Sequence, residues 1–143
     1  IVLVLDQLTD PQNVGAILRS AAAFDVSAVV MQDRHAPPES GALAKAASGA
    51  LDIVPIATVV NIARALEDLA EMDFWRVALT ADGEATLKEA LHTGDIAIVL
   101  GSEGAGIRRL VRENCDQAAL IPIATESLNV STAAAIALYE LRR

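Results

Sequence analysis

The chain has 143 residues, 53% hydrophobic, 21% charged and only 3% aromatic, with 11 Lys plus Arg against 19 Asp plus Glu for a formal charge of −8. That length and apolar content predict one domain with a real core and exclude an intrinsically disordered chain. No apolar run approaches the roughly 18 residues of a membrane span, the single cysteine, Cys115, cannot close an internal disulfide, and the acidic balance weighs against nucleic-acid binding by phosphate contacts alone.

The sequence opens at Ile1 directly in a strand-like run, with neither an initiator Met nor a signal sequence. This predicts a cytoplasmic domain belonging to a longer chain. Six short apolar runs read as strands, at 2–5, 28–31, 53–55, 75–79, 96–100 and 118–121. Between them, Ala-rich stretches read as helices at 14–24, about 40–47, 59–71, 87–91, 108–113 and 131–141. In the third helix, Val59, Ile62, Ala63, Leu66, Leu69 and Ala70 repeat at helical spacing and leave Arg64, Glu67, Asp68 and Glu71 outward. Gly49 is placed to end the second helix, and Gly94 is a loop residue before the fifth strand. The alternation predicts a single α/β domain over residues 1–143, with helices on both faces of a mostly parallel sheet.

Charge is unevenly spread. Acid crowds the middle, at Glu67, Asp68, Glu71, Asp73, Asp82, Glu84, Glu89 and Asp95, while base collects at Arg108, Arg109, Arg112, Arg142 and Arg143. Solvated faces and helix ends account for such charges taken singly.

Three segments carry chemistry. In the first, Asp10-Pro11 turns the chain out of a strand and Asn13 stands where a helix N-cap belongs. Gly15 there allows a backbone or ligand to come close. Arg19 follows about one and a half turns later, and its fork suits a phosphate or carboxylate. Near a helix start an arginine opposes the dipole. In the second, Gly101-Ser102-Glu103-Gly104-Ala105-Gly106 leaves a buried strand at the edge where open α/β sheets bind ligands. The glycine spacing matches neither the dinucleotide fingerprint nor the P-loop, and a tight turn alone also accounts for it. Glu103 offers an acceptor for a ligand hydroxyl, a base edge or a partner chain. In the third, Ser127, Asn129, Ser131 and Thr132 crowd a loop-to-helix junction where some of them cap. Leu128 between them adds apolar contact suited to a nucleoside-sized ligand. His35, His92 and Cys115 lack metal-ligand spacing, so no metal is expected. Cys115 reads as a half-buried small side chain and Trp75 as core.

Read together, N-x-G-x-x-x-R from Asn13, L-G-S-E-G-x-G from Leu100 and S-L-N-V-S-x-A from Ser127 resemble the three signature motifs of the SpoU (TrmH-like) branch of the SPOUT RNA methyltransferases. The stretches Ala36-Pro37 and Lys45 to Ala50 look like the same family. The similarity is greatest to enzymes that methylate the guanosine 2′-hydroxyl of 23S ribosomal RNA, with transfer-RNA ribose methyltransferases as near relatives.

The resemblance implies a C-terminal trefoil knot, an exception to unknotted topology. It also implies S-adenosylmethionine as cofactor, RNA as substrate and a homodimer. By position, Gly101, Ile121 and Leu128 match cofactor-holding residues, and Asn13, Arg19, Glu103, Ser127 and Asn129 match catalytic and RNA-site residues. The family often carries a separate N-terminal RNA-binding domain, whose absence from this chain would fit the acidic charge. The segment between Pro122 and Ser127 is about two residues shorter than the family's usual loop. Two other function classes compete: a knotted RNA-binding or ribosome-assembly factor without activity, and a generic nucleotide-binding α/β domain. The complete Asn13, Arg19, Glu103 and Asn129 set argues against the first, and the missing phosphate fingerprints against the second.

Overall fold

A computed structural model describes residues 1–33, 41–102 and 104–142. The elements run β1 (Val2–Asp6), α1 (Pro11–Ala23), β2 (Ala28–Gln32), α2 (Gly41–Ala47), a 3-10 turn (Ala50–Asp52), β3 (Ile56–Val59), α3 (Ile62–Glu71), β4 (Trp75–Leu79), β5 (Ala85–Thr86), α4 (Leu87–Ala90), β6 (Ile96–Gly101), α5 (Arg109–Glu113), β7 (Gln117–Leu120) and α6 (Val130–Arg142). The strands form one sheet in the order β3-β2-β1-β6-β4-β7-β5. Every adjacent pair is parallel.

The central strands β1 and β6 form where side chains are buried on both faces. In β1, Leu3 and Leu5 enter one core with Val14, Ile17 and Leu18 of α1 and Leu138 of α6. Val2 and Val4 enter the other with Ile62 and Leu66 of α3 and Val111 of α5. β6 alternates in the same way, Ile98 to the first core and Val99 to the second. This two-residue period puts α1, α2 and α6 on one face of the sheet and α3 and α5 on the other.

Several boundaries differ from those expected. The third strand lies at Ile56–Val59, because pairing with β2 begins at Val29–Ile56. Residues Ala50–Asp52 instead wind into the 3-10 turn, leaving Ile53 71% exposed. α3 starts at Ile62, capped by Asn61, whose Oδ1 accepts the Arg64 amide at 3.1 Å, so Val59 belongs to the strand. The last strand is Gln117–Leu120 rather than 118–121. The two-residue β5 is too short to show a pattern, and it runs directly into α4 through a Thr86–Glu89 capping box.

The largest correction concerns α1. Asp10, not Asn13, is its N-cap: the Asp10 carboxylate accepts the Gln12 amide at 2.9 Å, and Pro11 fills the first helical position, where no amide partner is needed. Asn13 therefore lies inside the first turn. Arg19 sits well past the middle of a 13-residue helix, so it does not oppose the positive end of the dipole.

Gly15 permits a close crossing. A Cβ there would lie 2.4 Å from the Ala46 Cβ of α2, so the approaching group at this position is another backbone. α6 lies along α1, and Arg142 near its end donates to the carbonyls of Phe24 and Asp25, each at 2.8 Å. Ala134 and Ala137 face inward. The smooth alanine face thus packs within the chain, and Ile136 and Tyr139 are the large apolar residues α6 exposes.

Candidate active site

The carboxyl ends of β4, β6 and β7 open into a cleft of about 720 Å³, a volume typical of small-molecule sites. One wall is the glycine segment after β6, including Gly101, Ser102, Gly104, Gly106 and Ile107. Another is the segment from Ile121 to the start of α6, and the loop after β4 closes the third side with Thr80 and Asp82.

The glycine segment is a built turn. The Gly106 amide donates to the Ser102 carbonyl at 2.7 Å. Gly104 and Gly106 take φ of 85° and 68°, the left-handed region that favours glycine. A Cβ on Gly101 would lie 2.4 Å from the Gly106 carbonyl carbon. Glu103, expected to act from this turn, lies outside the described residues, as do His35, Ala36 and Pro37.

Among the expected cofactor residues, Gly101, Ile121 and Leu128 all line the cleft, and so do Ser127 and Asn129. The shortened segment before Ser127 therefore still forms a wall. Asn129 does two jobs. Its Oδ1 accepts the amides of Ser131 at 2.9 Å and Thr132 at 3.3 Å, which caps α6. Its Nδ2 donates to Asn13 Oδ1 at 3.0 Å. The first and third motifs thus meet through one hydrogen bond at the edge of the cleft. Ser131 also donates its hydroxyl to Asn129 Oδ1. Arg19 is not among the cleft-lining residues; it is exposed on α1, and its side chain makes no hydrogen bond or ion pair with another described residue.

Sequence reasoning missed three groups around the cleft. Thr80 Oγ1 is buried without a hydrogen-bond partner among the described residues, although Thr80 lines the cleft. Arg112 of α5 pairs with Asp82 at 3.0 Å at the cleft wall; its hydrogen bond and positive charge hold the Asp82 carboxyl below its usual range. Asp6, fully buried at the end of β1, accepts from Arg108. A carboxylate ending an otherwise apolar strand was the available sign of this last pair, but its partner stands 102 positions away.

Elsewhere, Trp75 is half-buried, donates Nε1–H to the Ala90 carbonyl at 3.1 Å and stacks on His92 with ring centroids 4.7 Å apart. Cys115 is half-buried as expected, and burial pushes its thiol up to about 12. Among the described residues, no helix is long and apolar enough to cross a membrane, and no three His, Cys, Asp or Glu side chains are grouped so that they could hold a metal ion.

The apolar walls of Leu100, Ile121 and Leu128 and the exposed backbone of the glycine turn fit a nucleoside-sized, partly polar ligand. The sequence profile of the SpoU rRNA Methylase family matches residues 1–139. A 23S rRNA (guanosine-2′-O-)-methyltransferase, RlmB of Coxiella burnetii, is 46% identical over all of this chain, which spans 58% of that relative's length. A TrmH-family RNA methyltransferase structure from Porphyromonas gingivalis superposes with a TM-score of 0.89 at 34% identity, over 99% of this chain and 58% of that one. The SpoU methyltransferase AviRb of Streptomyces viridochromogenes, solved with the cofactor AdoMet, gives 0.89 at 25% identity over 99% and 56%. With Asn13, the glycine turn and the Ser127 to Asn129 segment brought to one sheet edge, the chain belongs to the SpoU rRNA methylase family.

Proposed function

We propose that this chain is the catalytic domain of a cytoplasmic methyltransferase that uses S-adenosylmethionine to methylate a ribose 2′-hydroxyl in structured RNA, with a guanosine of 23S rRNA as substrate. The observation that carries the reading is the meeting of Asn13 and Asn129 beside a cleft lined by Gly101, Ile121 and Leu128. The AdoMet complex of AviRb and the RlmB relative support the cofactor and the substrate class.

When bound, S-adenosylmethionine supplies a methyl group on a positively charged sulfur. The backbone of the glycine turn and the Ile121 and Leu128 side chains would hold it. Transfer to a ribose oxygen needs an in-line approach, so positioning supplies much of the rate. Asn13 and Asn129 hold that geometry. Their bond fixes α1 against the start of α6. By sequence, Ser127 and Glu103 match the family's catalytic and RNA-site positions. Arg19 orients the substrate phosphate and stabilises developing charge. It does not accept the proton, because a guanidinium stays charged well above neutral pH; the phosphate or water takes it.

The position of Arg19 supports a homodimer. It lies outside its own chain's cleft, on a helix packed against α6, which exposes Ile136 and Tyr139 at 40% and 59%. In a pair of chains packed across this face, Arg19 would serve the partner's cleft. The C-terminal segment would be threaded as the family's trefoil knot.

Calorimetric titration with S-adenosylmethionine and S-adenosylhomocysteine tests the reading. One saturable site per chain, abolished by Leu128→Asp, is expected, and a folded chain that binds neither ligand overturns it. Arg19→Lys should keep cofactor affinity while losing most of the methyl-transfer rate on 23S rRNA; loss of affinity would remove Arg19 from the phosphate role. Sedimentation at low micromolar concentration should show a dimer.

A further inference from the structure

The glycine turn is closed on itself, by the Gly106–Ser102 bond and by the contact of Gly101 with Gly106. Neither of these ties its far end to the sheet. That tie is made one residue after Ile107, the last residue of the turn to line the cleft. There the Arg108 amide donates to Asp6 Oδ2 at 2.9 Å, while its guanidinium donates to Asp6 Oδ1 through Nε at 3.0 Å and Nη2 at 2.6 Å. Asp6 is the register partner of Gly101, so this carboxylate sits beside the residue at which the turn begins. Arg108 Nη2 also donates to Gln32 Oε1 at 3.2 Å, and Gln32 Nε2 donates to the Val60 carbonyl at 3.3 Å. The clasp thereby spans the ends of β1 and β2 and reaches the segment after β3.

We infer that Asp6 and Arg108 are positioning residues for the cofactor cleft: their clasp fixes the far end of the glycine turn to the sheet beside the residue at which the turn begins. The inference rests on the methyltransferase reading given above. Stability alone is a poor reason for the pair, since a buried ion pair is often matched or exceeded by apolar residues of similar volume. What an apolar pair cannot supply is a directional hold on a backbone amide and a guanidinium at once. Arg108 is 42% exposed on its side chain and touches none of the cleft itself, so its effect passes through the turn.

The test is calorimetric titration of the full chain with S-adenosylhomocysteine, with hydrogen exchange read at the Gly106 amide. Asp6→Asn keeps shape and weakens the hold, and Arg108→Gln keeps the backbone bond but loses the fork. Both are expected to raise the dissociation constant about tenfold or more, as small misplacements of binding groups do, and to speed exchange at Gly106. Should Asp6→Asn fail to fold, the partly exposed Arg108→Gln carries the test. Variants that melt earlier yet keep wild-type affinity and Gly106 protection overturn the clasp and leave a structural role. Wild-type chain that is folded but does not bind overturns the methyltransferase reading and the clasp with it; wild-type binding with unaltered variants overturns the clasp alone.

Discussion

Arg108 and Arg112 stand one helical turn apart at α5, and each pairs with an aspartate from another part of the chain. Asp6 is fully buried, whereas the side chain of Asp82 is 76% exposed. The same chemistry therefore does opposite things. Around Asp6, water is excluded, three donors converge and the geometry is single-valued. Around Asp82, water competes and salt screens, so the pair is held only weakly. Burial, not the identity of the charges, separates a fixed support from a weakly held wall.

Asp6→Ala should sharpen that contrast most. It leaves the Arg108 amide and guanidinium without their acceptor; because the Arg108 side chain is 42% exposed, water relieves part of the loss, and about 1.5–3 kcal/mol is expected. Urea denaturation would show this as a lower midpoint at unchanged slope. A loss no larger than that of an exposed pair would break the comparison. Gly101→Ala comes next. Its Cβ meets the Gly106 backbone, so overpacking of about 1–3 kcal/mol is expected, together with lost S-adenosylhomocysteine binding.

Asn129→Ala removes the α6 cap, for which about 1 kcal/mol is usual. A double-mutant cycle with Asn13→Ala isolates the remaining bond between the two asparagines. Arg112→Gln should be the mildest, with no resolvable change in melting temperature at neutral pH. Its signature is a titration. The folded Asp82 carboxyl lies below 3.8 because of Arg112, so the pair's contribution is present above that pH and fades as pH falls through the depressed value. In Arg112→Gln the Asp82 carboxyl resonance should titrate closer to its ordinary range. An unchanged curve would mean that Arg112 does not hold it.

How much of this was legible in the sequence depends on the range of the interaction. β1 and β6 were visible because their burial is two-sided and continuous. Near Pro55 the apolar letters run on from Ile53 to Ala57, and only pairing with β2 decides which of them enter the sheet. At α1 two capping residues competed, Asp10 and Asn13. Pro11 was the deciding sign, since proline favours the first helical position. The three motifs were legible as sequence, and Gly101, Ile121, Ser127, Leu128 and Asn129 do share one cleft. The Asp6–Arg108 clasp was not, because no local pattern encodes a contact across 102 positions. Arg19 stands apart for a physical reason as well: it is exposed on α1, away from the cleft of its own chain.

The bond between Asn13 and Asn129 joins residues 116 positions apart, and no strand in the sheet is joined to its neighbour by a hairpin, since all pairs are parallel. Such connectivity delays folding, because long loops must close before any distant contact rewards them. During synthesis β1 leaves the ribosome long before β6 exists, so the edge of β1 that β6 pairs with waits open. The cleft is assembled last, when residues Ile121 to Ala133 arrive to complete its wall. Ligand binding at this cleft therefore reports that the chain has been made through Ala133, and a polypeptide cut before that wall gives no signal.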